Sequence, residues 1–119
     1  MTISVPGKYL VRHGRDVDKE RSTCGYRHRL LSTGDAAPAF AHVVKIGEAQ
    51  PHYHKKASEL YYVLEGGGVL ILDGERVAIE RGSLALIEPG VVHSAEGEML
   101  VLVIGIPDIS DEDMFFPEK

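Results

Sequence analysis

The 119-residue sequence has a single cysteine, Cys24, no tryptophan and no long apolar run. One cysteine excludes an internal disulfide, and a lone thiol is typical of a reducing compartment, so a cytoplasmic location is expected. The longest apolar run, residues 99–104, is far shorter than the roughly 20 residues of a membrane helix and predicts a buried strand instead. The first residues lack a basic segment followed by an apolar core, so no signal peptide is predicted.

Positive charge is also scarce. Thirteen Lys and Arg residues stand against 18 Asp and Glu residues, which gives a net charge of −5 at pH 7 and a pI near 5.6. This balance argues against nucleic acid or an anionic membrane surface as a partner. The length and the 44% hydrophobic content predict one domain, residues 1–119, with a buried core.

Short strands separated by glycine and proline dominate the pattern. Residues 40–46 alternate between faces, and Asp73-Gly74 is a strong hairpin signal. The glycines at 66–68 are predicted to let the chain bend tightly at the end of the strand that precedes them. Residues 96–98 are predicted as a turn, and the charged segment 12–21 is predicted to be turn-like. Only the tail suggests a helical turn, because Ser110 and Asp113 have the spacing of a capping box. These features predict an all-β sandwich or barrel. Its strands are expected at residues 9–11, 26–31, 40–46, 69–72, 76–80, 84–87 and 99–106, in the apolar run that begins at Glu59 and ends at Gly66, and at His93.

Three histidines and one glutamate carry the chemical signal. His52 and His54 are two residues apart, so on a strand they point to the same face about 7 Å apart. Glu59 opens the next apolar run and shares a face with Tyr61, which makes its carboxylate half-buried. A buried charge is costly without a partner, and a metal ion would provide one. His93 follows a Pro-Gly turn downstream.

The spacing of these residues resembles the first motif of the cupin superfamily. That motif is Gly, five residues, His-x-His, three or four residues, Glu, six residues and Gly. Here Gly47 precedes His52-Tyr53-His54, four residues separate His54 from Glu59, and six residues follow before Gly66. The sequence departs from the motif by one residue fewer between Gly47 and His52.

The second cupin motif is also recognisable. It runs Gly, five residues, Pro-x-Gly, two residues, His, three residues and Asn. Gly82 is followed by five residues, and Glu88-Pro89-Gly90 precedes His93 by two residues. Glu88 stands in place of the proline and Gly97 in place of the asparagine. Neither departure affects His52, His54, Glu59 or His93.

The resemblance covers residues 38–106 and implies an architecture. It implies a cupin double-stranded β-helix, or jelly-roll barrel, formed by a single domain. Residues 1–37 would be an irregular N-terminal extension with strands, residues 38–106 the barrel core and residues 107–119 a tail. In cupins such N-terminal strands often extend the sheet and pair with a second subunit, so the resemblance also implies a homodimer.

The resemblance implies a metal-dependent function. Three imidazoles and one carboxylate suit one divalent transition metal ion per chain, which would be Fe, Mn, Ni, Co or Zn. The ligands would be His52, His54, Glu59 and His93, and such a site leaves positions open for a substrate. Small cupins of this kind include isomerases, dioxygenases and lyases that act on sugars, sugar acids or carbonyl compounds. The alternative is a non-catalytic cupin that binds or senses a small molecule.

Four further residues are candidates for catalysis. Tyr61 could hydrogen-bond a metal-bound ligand, or it could be a packed core aromatic. His42 is expected to point inward, either as a core histidine or as an acid–base group beside the metal. Arg27 and Arg29 share a strand face and could attract an acidic substrate, or they could be solvated charges at a sheet edge.

Overall fold

In the computed structural model of the chain, residues 2–107 and 111–118 are described. Within these residues the protein consists of β-strands and three single-turn 3-10 helices, which confirms the all-β prediction. The strands are β1 Ile3–Val5, β2 Tyr9–Val11, β3 Lys19–Ser22, β4 Gly25–Leu31, β5 Phe40–Ile46, β6 Ser58–Leu72, β7 Glu75–Glu80, β8 Leu84–Ile87 and β9 His93–Ile106. The 3-10 helices are Gly14–Asp16, Thr33–Asp35 and Asp111–Asp113. Ser110, the start of the predicted capping box, lies outside the described residues.

Seven strands form one antiparallel sheet, and β1 and β2 form a separate hairpin. The order in the large sheet is β3-β4-β5-β9-β6-β7, with β8 paired to the first half of β6. The turn-like prediction for residues 12–21 is wrong at its end, because residues 19–21 belong to β3. Glu20 lies opposite Arg27 and accepts a hydrogen bond from its Nε at 2.7 Å. A charged strand of this kind is suited to the edge of a sheet.

Strands β6 and β9 pair along their whole length and form a long two-stranded ribbon. Pairing runs from Ser58 opposite Ile106 to Leu72 opposite His93. The predicted turn at residues 96–98 and the predicted end of a strand at 66–68 are therefore wrong, because both strands continue through their glycines, whereas the predicted bend at 66–68 is present. Gly66 has a φ of +76°, and a Cβ on it would lie 2.1 Å from the carbonyl oxygen of Glu98. Glycine thus lets the ribbon bend sharply without losing its pairing.

The core lies on the inner face of the sheet, where alternate residues of neighbouring strands meet. In β6, Glu59, Tyr61 and Val63 are buried while Tyr62 is exposed, as a period of two residues requires. The buried apolar core consists of Val44, Ile46, Tyr61, Val63, Leu70, Ile87, Ala95, Met99, Val101 and Val103. Within the part of the chain that is described, no helix is long and apolar enough to cross a membrane.

Candidate metal centre

Four side chains that are distant in sequence converge on one buried point. His52, His54, Glu59 and His93 each offer one nitrogen or oxygen atom, and these atoms all lie within 4.8 Å of one another. Exposure of the four residues is between 1% and 8%. The ring centroids of the three histidines are separated by 4.4 to 5.5 Å. Two donors about 2.1 Å from a common ion are at most about 4.2 Å apart, so only a small contraction would be required.

Backbone pairing places the histidines. His52 and His93 form an isolated antiparallel bridge, in which His52 N donates to His93 O at 3.1 Å and His93 N donates to His52 O at 2.8 Å. The loop around His54 is fixed to the Pro-Gly turn, because Gly90 N donates to His54 O at 2.7 Å. Glu59 is the second residue of β6 and points to the inner face. The bend of the β6–β9 ribbon then brings His93 to Glu59.

Each histidine is oriented through its Nδ1 atom. His52 Nδ1 lies 2.9 Å from Gln50 O, His93 Nδ1 lies 2.9 Å from Val91 O, and His54 Nδ1 lies 2.5 Å from Asp113 O. A carbonyl oxygen can only accept, so each Nδ1 carries the proton. In the neutral ring the Nε2 lone pair is then available as a ligand, which is the usual arrangement of metal-binding histidines.

Three of the atoms facing the centre, His54 Nε2, Glu59 Oε1 and His93 Nε2, lack hydrogen-bond partners. His54 Nε2 and His93 Nε2 each lie 3.0 Å from Glu59 Oε1, close enough for electrostatic attraction. Their geometry is nevertheless not that of a hydrogen bond, and all three buried atoms are without one. Unpartnered buried polar atoms are rare and costly. The donor set and its convergence are therefore compatible with a metal site.

The burial and close packing of these side chains shift the pKa values of His52, Glu59 and His54. Burial, together with a smaller effect of the neighbouring His93, lowers the pKa of His52 to about 4, so this ring is neutral at pH 7. Burial opposes ionisation of Glu59, but contact with His54 and His93 outweighs it and lowers the pKa of the carboxyl group. Burial opposes protonation of His54, but Glu59 outweighs it and raises the pKa of this imidazole.

Tyr61 and Cys24 lie beside the cluster. The ring of Tyr61 stands edge-on to that of His93 with centroids 6.0 Å apart, and Tyr61 Oη lies 3.9 Å from Cys24 Sγ. Burial raises the pKa of Tyr61 well above its ordinary value, with Cys24 and Glu59 adding to the effect. Burial likewise raises the pKa of Cys24 to about 11. The phenol and the thiol therefore both stay protonated near neutral pH.

The remaining sequence candidates lie on the inner side of the sheet but outside the four-residue cluster. His42 is buried, as expected, and its ring lies 4.7 Å from that of Phe40. It is opposite Arg29 on one side and Val103 on the other. The arginines are not on an edge strand, because β4 pairs with β3 on one side and with β5 on the other. Arg27 is only 13% exposed and Arg29 is 44% exposed, and both lie within 2.8 Å of Glu20.

Sequence reasoning missed Asp113 as a neighbour of the cluster. Its carbonyl oxygen contacts His54 across 59 positions of sequence. Its carboxylate accepts hydrogen bonds from the backbone N–H groups of Lys55, Lys56 and Ala57 at 2.9 to 3.1 Å. In the sequence, Asp113 stands out only through its capping-box spacing from Ser110, which does not indicate which loop it contacts.

Comparison with known proteins identifies the family. The family profile described as "Cupin domain" matches residues 39–105, more than half of the chain. The chain therefore belongs to the cupins, as the two motifs predicted. An uncharacterized protein of Methanocaldococcus jannaschii is 33% identical over 66 residues, which cover 52% of this chain and 53% of the relative. A second match, from Aquifex aeolicus, is 42% identical over 43 residues, 36% of each chain. The chain thus spans about half, or less, of the length of the curated relatives it matches.

Solved structures extend the likeness over nearly the whole chain. A protein from Planctomyces limnophilus has a TM-score of 0.87 at 22% identity and covers 94% of this chain and 100% of its own. The nucleoside dehydratase Pac13 has a TM-score of 0.78 at 21% identity, and the match covers 92% of this chain and 94% of Pac13. Ectoine synthase from P. lautus has a TM-score of 0.74 at 20% identity, and the match covers 93% of this chain and 94% of the synthase. At these identities the likeness establishes the fold.

Proposed function

We propose that this protein is a metal-dependent cupin enzyme that acts on a small metabolite. The proposal rests on the buried convergence of His52, His54, Glu59 and His93. The facing atoms of three of them, His54, Glu59 and His93, have no hydrogen-bond partner. In this proposal the four side chains bind one divalent ion per chain. Three nitrogen donors and one oxygen donor suit Fe, Mn, Ni, Co or Zn and leave positions for a substrate.

When bound, such an ion would supply Lewis-acid polarisation of a substrate oxygen or, as iron, activation of O2. The protein's own contribution is orientation. The three backbone carbonyls that accept from Nδ1 hold the rings so that Nε2 faces inward. Burial of the cluster also excludes bulk water, which strengthens electrostatic interactions with a substrate.

Tyr61 is the residue we propose as a hydrogen-bond donor to the substrate. It lies on the same face as Glu59 and adjoins His93, and its raised pKa keeps the hydroxyl protonated. Its contact with Cys24 Sγ, at 3.9 Å, is weak, so the hydroxyl can change partners at little cost. His42, Arg27 and Arg29 are proposed to shape the inner face farther from the cluster, where two arginines and one glutamate leave a net positive charge.

The metabolite class is proposed from the chemistry of the site and from the structural neighbours. Those neighbours include a nucleoside dehydratase, ectoine synthase and KdgF from Halomonas sp.. Pac13 variants from Streptomyces have been solved with uridine. Sugars, sugar acids, other carbonyl compounds and nucleosides are therefore the first substrates to examine, for isomerase, dioxygenase or lyase chemistry.

The test combines metal analysis with turnover. Purified protein is expected to contain about one transition metal ion per chain, and His54→Ala is expected to lose most of it. Saturation with metal at a hundred times its Kd should stabilise the native protein by about 2.7 kcal/mol. For a chain of this size that corresponds to a rise in Tm of roughly 10 °C. A chain that takes up no metal, and gains no Tm from it, would overturn the proposal.

Turnover separates the enzyme from the non-catalytic alternative. The metal-loaded protein is assayed for substrate loss and O2 consumption with the panel above, and ligand binding is followed by thermal shift. Turnover that disappears in His54→Ala supports the enzyme. Ligand-dependent stabilisation without turnover would instead support a small-molecule-binding or sensor cupin.

We also propose a homodimer formed through an outer apolar patch, defined as Tyr62, Leu84, Leu86 and Ile106. These side chains are 42% to 65% exposed on the outer face of the sheet. Tyr62 is directly opposite Leu84, which makes part of the patch continuous. Clustered exposed leucines are unusual for a monomer and are typical of interfaces.

We also propose that the protein is located in the cytoplasm. Cys24, the chain's single cysteine, is a free, half-buried thiol, and burial raises its pKa to about 11. The fold therefore needs no oxidising environment. Fractionation of the native host, with detection of the protein among soluble or exported proteins, tests this assignment.

A further inference from the structure

The C-terminal segment around Asp113 contacts the loop that carries His54, and it does so at every residue from 53 to 57. Tyr53 and Phe115 form a reciprocal backbone bridge, with both N–H···O distances at 2.9 Å, and their rings stack with centroids 5.7 Å apart. Lys55 Nζ lies 4.1 Å from the centroid of the Phe115 ring, in cation–π geometry. We call residues 113–115 the C-terminal strap, because they lie across the loop that carries His54.

Asp113 is the centre of the strap and makes two different kinds of contact. Its carboxylate accepts from three successive backbone N–H groups, those of Lys55, Lys56 and Ala57. Successive N–H groups of this kind form an anion-binding concavity, and hydrogen bonds to a carboxylate are among the stronger ones. Its backbone carbonyl oxygen accepts from His54 Nδ1 at 2.5 Å. The side chain therefore fixes the position of the carbonyl that orients a member of the cluster.

The other two histidines are oriented differently. The carbonyls that accept from His52 and His93 belong to Gln50 and Val91, each two residues earlier in the chain. In both cases the ring and the carbonyl that orients it belong to the same short stretch of chain. His54 alone among the three takes its orienting carbonyl from a segment 59 residues away.

We propose that Asp113 is a positioning residue for the metal centre, through which the C-terminal strap sets the affinity of the cluster for its ion. This inference rests on the proposed metal-dependent function. Loss of the carboxylate releases the strap from the loop, the carbonyl no longer holds His54 Nδ1, and the ring is free to rotate. Partners that orient metal ligands in this way typically contribute 10- to 100-fold to metal affinity.

The experiment compares the parent protein with Asp113→Ala, Asp113→Asn and Glu118→Ala. Glu118 is an exposed carboxylate in the same tail and serves as the matched control. Zn²⁺ affinity is measured by competition with a chelating dye, and the Co²⁺-loaded proteins are compared by visible absorption. Asp113→Ala is expected to weaken Zn²⁺ binding 10- to 100-fold and to change the Co²⁺ spectrum. Asp113→Asn, which keeps one acceptor oxygen, should be intermediate, and Glu118→Ala should stay within twofold of the parent.

The Tm of the metal-free proteins separates positioning from simple stabilisation. An Asp113→Ala variant with a lower Tm but an unchanged Zn²⁺ affinity and Co²⁺ spectrum would overturn the inference. A parent protein that binds neither ion would overturn the proposed function. The positioning of the ring is then decided by NMR of the metal-free protein. The Nδ1–H proton of His54 should give a hydrogen-bonded, downfield resonance that Asp113→Ala loses and Glu118→Ala keeps, and its survival in Asp113→Ala would overturn the inference.

Discussion

Glu59 Oε1 and His93 Nε2 lie 3.0 Å apart, although these residues stand near opposite ends of the β6–β9 ribbon. His93 pairs with Leu72, and a straight strand from Glu59 to Leu72 would span about 43 Å at the usual rise per residue. The ribbon therefore curls back on itself, and its bend brings together the residues of the candidate metal centre. Any change that straightens the bend should separate Glu59 from His93.

Gly66→Ala tests the bend directly. The residue has a φ of +76°, and an added Cβ would lie 2.1 Å from Glu98 O, so both strain and overlap oppose alanine. We expect the free energy of unfolding in urea to fall by about 3 kcal/mol or more. Zn²⁺ affinity should fall as well, because Glu59 and His93 move apart.

Gly74→Ala provides the control for backbone strain alone. Gly74 also has a positive φ, +85°, but no atom lies within 4 Å of an added Cβ. It should lose about 1 kcal/mol and retain the parent Zn²⁺ affinity. Equal losses of stability in the two variants would show that the bend at Gly66 has no special role.

Tyr61→Phe tests the proposed hydrogen-bond donor. Removal of the hydroxyl gives up only the weak contact with Cys24 Sγ, so the change in unfolding free energy should stay below about 1 kcal/mol. Metal content should be unchanged, while kcat/KM for a substrate identified in the panel falls roughly 10- to 100-fold. Tyr62→Phe, the outward neighbour, should match the parent in all three measurements. Unchanged kinetics in Tyr61→Phe would make this residue a packed core aromatic only.

Asp35→Asn tests an ion pair far from the cluster. Arg12 Nη1 and Nη2 donate to the two carboxylate oxygens of Asp35 at 2.9 and 3.1 Å, and Arg12 Nη1 also donates to Leu30 O at 2.7 Å. The hydrogen bond from Arg12, with one from the Ser32 N–H, lowers the pKa of Asp35. A lowered native pKa stabilises the fold above the unfolded pKa near 3.9, and this contribution disappears as pH falls through the native value.

The difference in unfolding free energy between the parent and Asp35→Asn should therefore be about 1 kcal/mol at pH 7 and smaller near pH 2. The value is modest because the pair is partly exposed and screened by solvent. Asp18→Asn, which changes an exposed carboxylate, should show little difference at either pH. A difference that is constant across this pH range would contradict the assignment to the ionised carboxylate.

Leu86→Glu tests the outer apolar patch. Leu86 is 60% exposed, so a monomer should tolerate glutamate, whereas a dimer interface should not accept an unpaired charge at this position. Light scattering is expected to show a dimer for the parent and a monomer for Leu86→Glu. Val11→Glu, in the separate β1–β2 hairpin and 49% exposed, should remain dimeric. A monomeric parent at high micromolar concentration would refute the dimer.

Local spacing predicted much of this protein because strand geometry is local. Alternation placed Glu59 and Tyr61 on one buried face and left Tyr62 exposed, and the Asp73-Gly74 hairpin joins β6 to β7 as expected. The same reasoning failed at Gly66, since a glycine that ends one strand and a glycine that bends a continuing strand look alike in sequence. Which of the two occurs depends on whether a partner strand continues alongside.

The sequence by itself determined the all-β class, the cupin motifs and the four residues of the cluster, because residue type and a period of two fix which side chains share a face. Only the tertiary structure decided that the ribbon curls, that β3 pairs with β4 and places Glu20 opposite Arg27, and that Asp113 holds His54. These relationships join segments that are far apart in the chain. Their geometry is set by the bend and packing of the whole sheet, and no local pattern encodes it.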